Sequence, residues 1–182
     1  MKRKSIYKYA SEAGVSAGLY LTLMSACFLM SIRIPALPML LLPLALGFPF
    51  MLWALIRKIS REEPSYVKFS SLWLGGIYTV IFGTLICMFF SGLYLFFVEP
   101  SFVGLYVTNA IETLEASPVA SEYQGSITLM KEAMHAHILP SSFEFLSTMG
   151  WFTCFSGSII SLFVALVVLR TGKKKVTDKV SA

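Results

Sequence analysis

Apolar residues in this chain gather into four long runs. They extend from Ala13 to Ile32, Ile34 to Ile56, Phe69 to Val98 and Phe145 to Leu169, and none contains Asp, Glu, Lys, Arg or His. About 20 residues of apolar helix cross a hydrocarbon core of roughly 30 Å. Lipid offers no partner to open backbone groups, so runs of this length predict helices. The third run is long enough to tilt or to extend beyond the hydrocarbon. Between the third and fourth, the segment Glu99–Ser142 changes period. Val103, Tyr106, Val107, Ala110, Ile111 and Leu114 recur at helical spacing opposite Thr108, Asn109, Glu112 and Glu115, and Ile127, Met130, Met134 and Ile138 form a second, shorter stripe. Ser117-Pro118 is expected to break the first of these helices and Pro140 to end the second, while Ser141-Ser142-Phe143-Glu144 has the form of a capping box opening the fourth span. The predicted fold is all-α: an integral membrane four-helix bundle, one domain over residues 1–182, with a helical extracytoplasmic loop over about 99–142.

Composition supports this reading. Of 182 residues, 56% are apolar and 14% charged, with a mean hydropathy of +0.72. Soluble domains carry about 45–50% apolar and about 25% charged residues, so a soluble sphere is excluded, and disorder is excluded by the same abundance of apolar residues. Cys27, Cys87 and Cys154 all lie inside apolar runs, which leaves no extracytoplasmic disulfide framework. The basic N-terminus and Leu23-Met24-Ser25-Ala26-Cys27 hint at a cleaved leader. The run nevertheless continues through Phe28, Leu29 and Met30 and outlasts the 7–15 residues of a signal core, so the first span is expected to be retained.

Charge sets the expected orientation. Lys2, Arg3, Lys4 and Lys8 precede the first span; Arg57, Lys58, Arg61 and Lys68 lie between the second and third; Arg170, Lys173, Lys174, Lys175 and Lys179 follow the fourth. Only Arg33 and Lys131 fall on the other side. Basic residues are retained in the cytoplasm, so both termini are expected there. The net charge of +5 therefore reports orientation, with juxtamembrane clusters suited to anionic headgroups rather than to nucleic acid. The outer segment, by contrast, carries Glu99, Glu112, Glu115, Glu122 and Glu132 against Lys131 alone.

Candidate chemistry is sparse. Glu132 and His135 share a helical face in a Glu-x-x-His pattern, but no second copy supplies further ligands, and His137 points elsewhere on the helix, so no metal and no cofactor is expected. Uncharged spans argue against a proton-coupled pump. Glu12, just before the first span, is placed to pair with Lys8. Pro35 and Pro38 are expected to start the second helix, with Pro43 and Pro49 kinking its interior. Small residues form rows suited to close helix contact: Gly14 and Gly18 in the first span, Gly76 and Gly83 in the third, and Gly150, Cys154 and Ser158 in the fourth, with Gly157 and Ser161 beside them. Such rows serve either the bundle itself or a partner. Nucleophile elbows, phosphate-binding loops, dinucleotide fingerprints and zinc-protease motifs are absent.

Tyr66-Val67-Lys68-Phe69 leads into Leu74-Gly75-Gly76, and the third span ends at Val98-Glu99-Pro100. The fourth carries Gly157-Ser158-Ile159-Ile160-Ser161-Leu162, an Ala/Val/Leu run, and then Arg170 with Lys173–Lys175. With the Lys-rich start and the small-residue first span, this resembles a family of small bacterial four-span membrane proteins filed as a domain of unknown function. The resemblance implies a bacterial inner-membrane location and four helices, and supplies no activity. The expected function is a non-enzymatic accessory, scaffolding or regulatory subunit, acting on another membrane protein or by self-association. Its candidate partner surface is Glu112, Glu115, Glu122 and Glu132, and its candidate packing face is Gly14, Gly18, Gly150, Cys154 and Ser158. The alternative is a carrier or binding protein for an apolar or lipid-like ligand; an enzyme using Glu99, Glu132, Glu144 or the histidines ranks third. Tyr106, Ile111, Leu114, Met130 and Met134 are expected to dock the outer helices onto the bundle.

The orientation is tested by single cysteines in a background lacking the native three. One at Ser60 is expected to resist an impermeant thiol reagent in intact cells, and one at Ser121 to react; labelling at Ser60 without permeabilisation overturns the topology.

Overall fold

Four long helices carry the apolar runs and two short ones fill the segment between the third and fourth. In chain order they are α1 (Ile6–Leu29), α2 (Pro38–Glu62), α3 (Phe69–Leu93), α4 (Phe102–Glu115), α5 (Gln124–His135) and α6 (Ser142–Val180). This computed structural model describes residues 6–34, 36–62, 68–118, 120–136 and 138–180, and among them it leaves out the side chains of 6, 7, 62 and 172–180. Lys2, Arg3, Lys4, Pro35, Tyr66, Val67 and His137, named above, lie outside the described residues, as do the side chains of Lys173, Lys174, Lys175 and Lys179. No strand occurs among the described residues. The end of the bundle that carries α4 and α5 is called the outer end below.

Helix boundaries follow local chemistry more closely than hydropathy. The second helix starts at Pro38 rather than Ile34, because a proline fits the first helical position, where its missing N–H costs nothing. Pro43 and Pro49 are inside the helix and supply no donor to the carbonyls of Met39 and Ala45. At the other end α2 runs past Ile56 to Glu62, just as α1 begins before Ala13 at Ile6; nothing in these charged stretches breaks a helix. The capping box is formed as expected. Ser141 N–H donates to Glu144 Oε2 at 2.8 Å, and Glu144 N–H donates to Ser141 Oγ at 3.3 Å. α3 leaves its regular geometry in a π-helical turn over Tyr94–Val98, and Glu99 N–H donates five residues back to Tyr94 O at 3.1 Å.

α3 is the hub of the bundle. It packs extensively along α1 on one side and α6 on the other, while α2 lies across α1 and α6 and touches α3 only lightly. Apolar surface gains nothing by moving from lipid to protein, so such contacts rest on close packing. Glycine makes the approach possible. A Cβ on Gly14 would lie 2.6 Å from Phe82 Cβ, and one on Gly18 would lie 2.8 Å from Ile86 Cβ. Across the same contact a Cβ on Gly83 would lie 3.1 Å from the Gly18 backbone nitrogen. The α3–α6 contact is knitted by hydrogen bonds as well: Ser161, fully buried, donates to Trp73 O at 3.1 Å, and the Trp73 indole donates to Ser158 O at 3.4 Å.

The interior divides into two packed clusters. One, at the end opposite α4 and α5, joins Leu52 and Ile56 of α2, Leu72 and Val80 of α3, and Val164, Ala165 and Val168 of α6. The other lies at the outer end and joins Leu29, Leu95, Phe102 and Val103. Large apolar residues turned away from both are highly exposed, with Met39 at 81%, Phe97 at 80% and Trp151 at 78%. On helices of this length and hydropathy, that is the outward face of a membrane bundle.

The glycine contact gives a direct test. Gly14→Ala is expected to lower stability in detergent by about 1–3 kcal/mol through overpacking against Phe82. Gly104→Ala, where nothing lies within 4 Å, is expected to be neutral or stabilising by up to about 1 kcal/mol through helix propensity. Thermal unfolding of both variants checks the contrast; equal effects overturn the packing account.

Candidate functional site

Between the two packed clusters the helices do not close. A cavity of about 280 Å³ is left among α1, α2, α3 and α6, at the small end of ligand pockets, which span roughly 300–1,000 Å³. Its walls are mostly apolar: Leu21, Met24, Phe28 and Leu29 from α1, Met88 and Leu95 from α3 and its π turn, and Leu146 and Met149 from α6. Three methionines among these give a wall that adapts to shape. α2 contributes only Leu41 and Ala45. No residue from Pro38 to Gly47 is buried, so the outer half of α2 stands loosely over one side of the cavity. A long-range hydrogen bond ties it, from Tyr20 Oη to Leu44 O at 2.6 Å. A side chain at Gly47 would collide with that phenol.

One stripe of the wall is polar. Thr84, Cys87 and Ser91 recur at i, i+3 and i+7 along α3 and face Ser25 of α1. Ser25 and Ser91 share a hydrogen bond of 2.7 Å, and Cys87 Sγ lies 3.8 Å from Ser91 Oγ. Thr84 differs from its neighbours. It is 3% exposed, and its hydroxyl is the one buried side-chain polar atom among the described residues without a hydrogen-bond partner. Most helical threonines here settle on the carbonyl four residues back, as Thr79 does on Gly75 O at 2.8 Å. A buried hydroxyl without a partner is costly in an apolar interior.

The outer end of the cavity is roofed by aromatic rings. Phe28 of α1 and Phe145 of α6 line it and lie against Phe102 of α4, with ring centroids 6.0 and 5.7 Å away. Tyr106 stacks on Phe102 at 6.0 Å. Phe102, fully buried, docks α4 together with Val103 and with Tyr106, whose ring centroid lies 5.6 Å from that of Phe28. This corrects the expected docking stripe in part. Tyr106 is 41% exposed, and Leu114, Met130 and Met134 are only half-buried; Val103, Ile111 and Ile127 are the buried members of the two stripes. α5 rests on α4 rather than on the bundle, and Ile138 falls beyond the end of α5 and is exposed. A charge pair holds the same region, with Arg33 of the α1–α2 turn donating through Nε to Glu99 Oε2 at 2.9 Å and through Nη2 to the same oxygen.

The residues singled out in the sequence separate into distinct places. Gly14 and Gly18 meet α3, and Gly150 meets Met88 at the cavity wall, so these small residues are occupied within the chain. Cys154 is half-buried and its carbonyl accepts from Ser158 Oγ at 2.7 Å. Glu112, Glu122 and Glu132 are exposed, whereas Glu115 accepts from Lys131 Nζ at 2.6 Å. His135 is exposed, and no group of three metal-ligating side chains occurs among the described residues. Glu12 lines a small hollow with Tyr9, Ser16 and Lys58. Sequence reading missed the Thr84–Cys87–Ser91 stripe; its signal was the i, i+3, i+7 recurrence of small polar residues within an otherwise apolar run.

The orphan hydroxyl predicts an unusual response. Thr84→Val keeps the shape and removes the unmet group, so thermal stability of the delipidated protein is expected to stay level or rise by about 1–3 kcal/mol. Ser91→Ala strips Ser25 of its partner and is expected to cost about 0.6 kcal/mol. A Thr84→Val variant that melts well below the parent overturns the assignment.

Comparison with known families matches residues 12–170, most of the chain, to the family described as Protein of unknown function (DUF4199). Neither the curated proteins nor the solved structures give a match.

Proposed function

The chain belongs to that family of unknown function, and we propose that it is a membrane-embedded binding protein or carrier for a small apolar or lipid-like molecule held in the cavity among α1, α2, α3 and α6. The observation that carries this reading is the Thr84 hydroxyl, 3% exposed and without a partner among the described residues, in a cavity whose other walls are mostly apolar. A molecule with an apolar body and one hydrogen-bonding group satisfies both surfaces at once. The loose outer half of α2 is the side on which such a molecule enters from the surrounding lipid. No residue in this account performs bond chemistry; the cavity binds.

A second reading, an accessory or regulatory subunit of another membrane protein, rests on the outer helices. Glu112, Glu122 and Glu132 are exposed there, an acidic face suited to a basic partner. The small-residue rows add little to this reading, because Gly14, Gly18 and Gly150 are already engaged within the chain. Replacing Glu112 and Glu122 with Gln lowers recovery of a co-purifying protein several-fold if this face is used, and leaves it unchanged if not. In either case we place the protein in the bacterial inner membrane with both termini in the cytoplasm, on the distribution of its basic residues.

Ligand binding is tested with a diazirine-bearing long-chain alcohol added to the purified protein in mild detergent. Photolabelling is expected at Met24, Met88 or Met149, and is expected to fall several-fold in Thr84→Val and in Ala45→Trp, which fills the cavity from its loosest wall. Labelling that neither variant changes overturns the reading.

A further inference from the structure

At the end of the bundle opposite α4 and α5, α2 and α6 diverge enough to leave a groove on the lipid-facing side. Pro49, Phe50 and Trp53 of α2 form one bank, and Phe163, Val164, Val167 and Thr171 of α6 form the other, around a space of about 360 Å³. Trp53 also lines a second hollow, of about 450 Å³, with Ala54, Arg57, Lys58 and Arg61. The two spaces share that indole as a lining residue. Trp53, Arg57 and Arg61 recur at i, i+4 and i+8, one stripe of the helix. The Arg57 guanidinium lies over the Trp53 ring, 4.8 Å from its centroid, which holds the cation at the head of the apolar groove. No acidic side chain among the described residues lines either space; Lys58 also lines the adjoining hollow with Glu12.

We propose that this groove is a binding site for one anionic phospholipid, its phosphate on Arg57 and Arg61 and an acyl chain along Phe50, Phe163 and Val167. Charge and shape both select this occupant. A free phosphate leaves the apolar half of the groove without a partner, and a zwitterionic lipid offers the two guanidinium groups no net charge. Clusters of basic residues at a membrane surface attract anionic headgroups. Phe50 is 74% and Phe163 62% exposed, so the acyl chain reaches them from the bilayer without any rearrangement of the bundle. The site is separate from the cavity that contains Thr84 and shares no lining residue with it.

The three tryptophans allow a direct test in vesicles. A protein retaining only Trp53 (Trp73→Phe, Trp151→Phe) is compared with one retaining only Trp151, in mixtures where either phosphatidylglycerol or phosphatidylcholine carries brominated acyl chains. Trp53 is expected to be quenched preferentially by brominated phosphatidylglycerol, and Trp151, on the open lipid face, by both equally. Arg57→Gln with Arg61→Gln is expected to reduce the Trp53 preference roughly fivefold for each cation removed, while Arg57→Lys with Arg61→Lys retains it. Millimolar inorganic phosphate is expected to leave it intact. Equal quenching of Trp53 by the two lipids, the same preference at Trp151, or displacement by free phosphate each overturns the proposal.

Discussion

The closeness of α1 to α3 governs the rest of the bundle. Lipid removes the hydrophobic drive that would press these helices together in water, so their association depends on how near the two backbones can come. Gly14 and Gly18 on α1 and Gly83 on α3 remove the side chains that would hold them apart. α6 then closes on the opposite flank of α3, with the Ser161 hydroxyl donating to the Trp73 carbonyl and the Trp73 indole to the Ser158 carbonyl. α2 has no comparable contact. Its outer half carries Pro43 and exposes Met39, Leu40, Leu42 and Leu46, and its buried residues begin only at Phe48. The cavity is a consequence: three helices are drawn tight and the fourth stands off.

That arrangement gives weight to a few small polar groups. A charged residue in the spans would announce itself and carry a large desolvation cost; hydroxyls and a thiol are tolerated, and their effect depends on who meets whom. Ser25 and Ser91 satisfy each other across α1 and α3, and Ser161 is satisfied by a carbonyl of the neighbouring helix. Thr84 is left over. In an interior built mainly from Leu, Met and Phe, one unmet hydroxyl stands out as a costly group.

The outer helices contribute a roof rather than an independent unit. Phe102 inserts among Phe28 and Phe145, so the aromatic cluster belongs at once to α1, α4 and α6. α5 touches the bundle mainly through α4, and the Lys131–Glu115 pair that joins the two is about half exposed on both sides; exposed pairs of this kind contribute at most about 1 kcal/mol. The Arg33–Glu99 pair is better placed, since the carboxylate is largely covered and bridges the α1–α2 turn to the end of α3. The π turn before Glu99 widens the helix where it changes direction toward α4.

The class, the four spans, the two outer helices and the capping box at Ser141–Glu144 were all legible in the sequence. Each follows from a local cause: an unbroken apolar run, a period, or a side chain within reach of its own backbone. The sequence also identified the small-residue rows, but could not say which surface they serve, since Gly14 suits an internal neighbour and an external one equally. It took the packing of the helices to show that Gly14 and Gly18 face Phe82 and Ile86, that Phe102 joins Tyr106 in anchoring the outer helix, and that Thr84 lies beside a cavity without a partner. The physical reason is that lipid and protein interior are almost equally apolar. Inside a span, hydropathy cannot distinguish an inward face from an outward one, and only the geometry of contact between helices does.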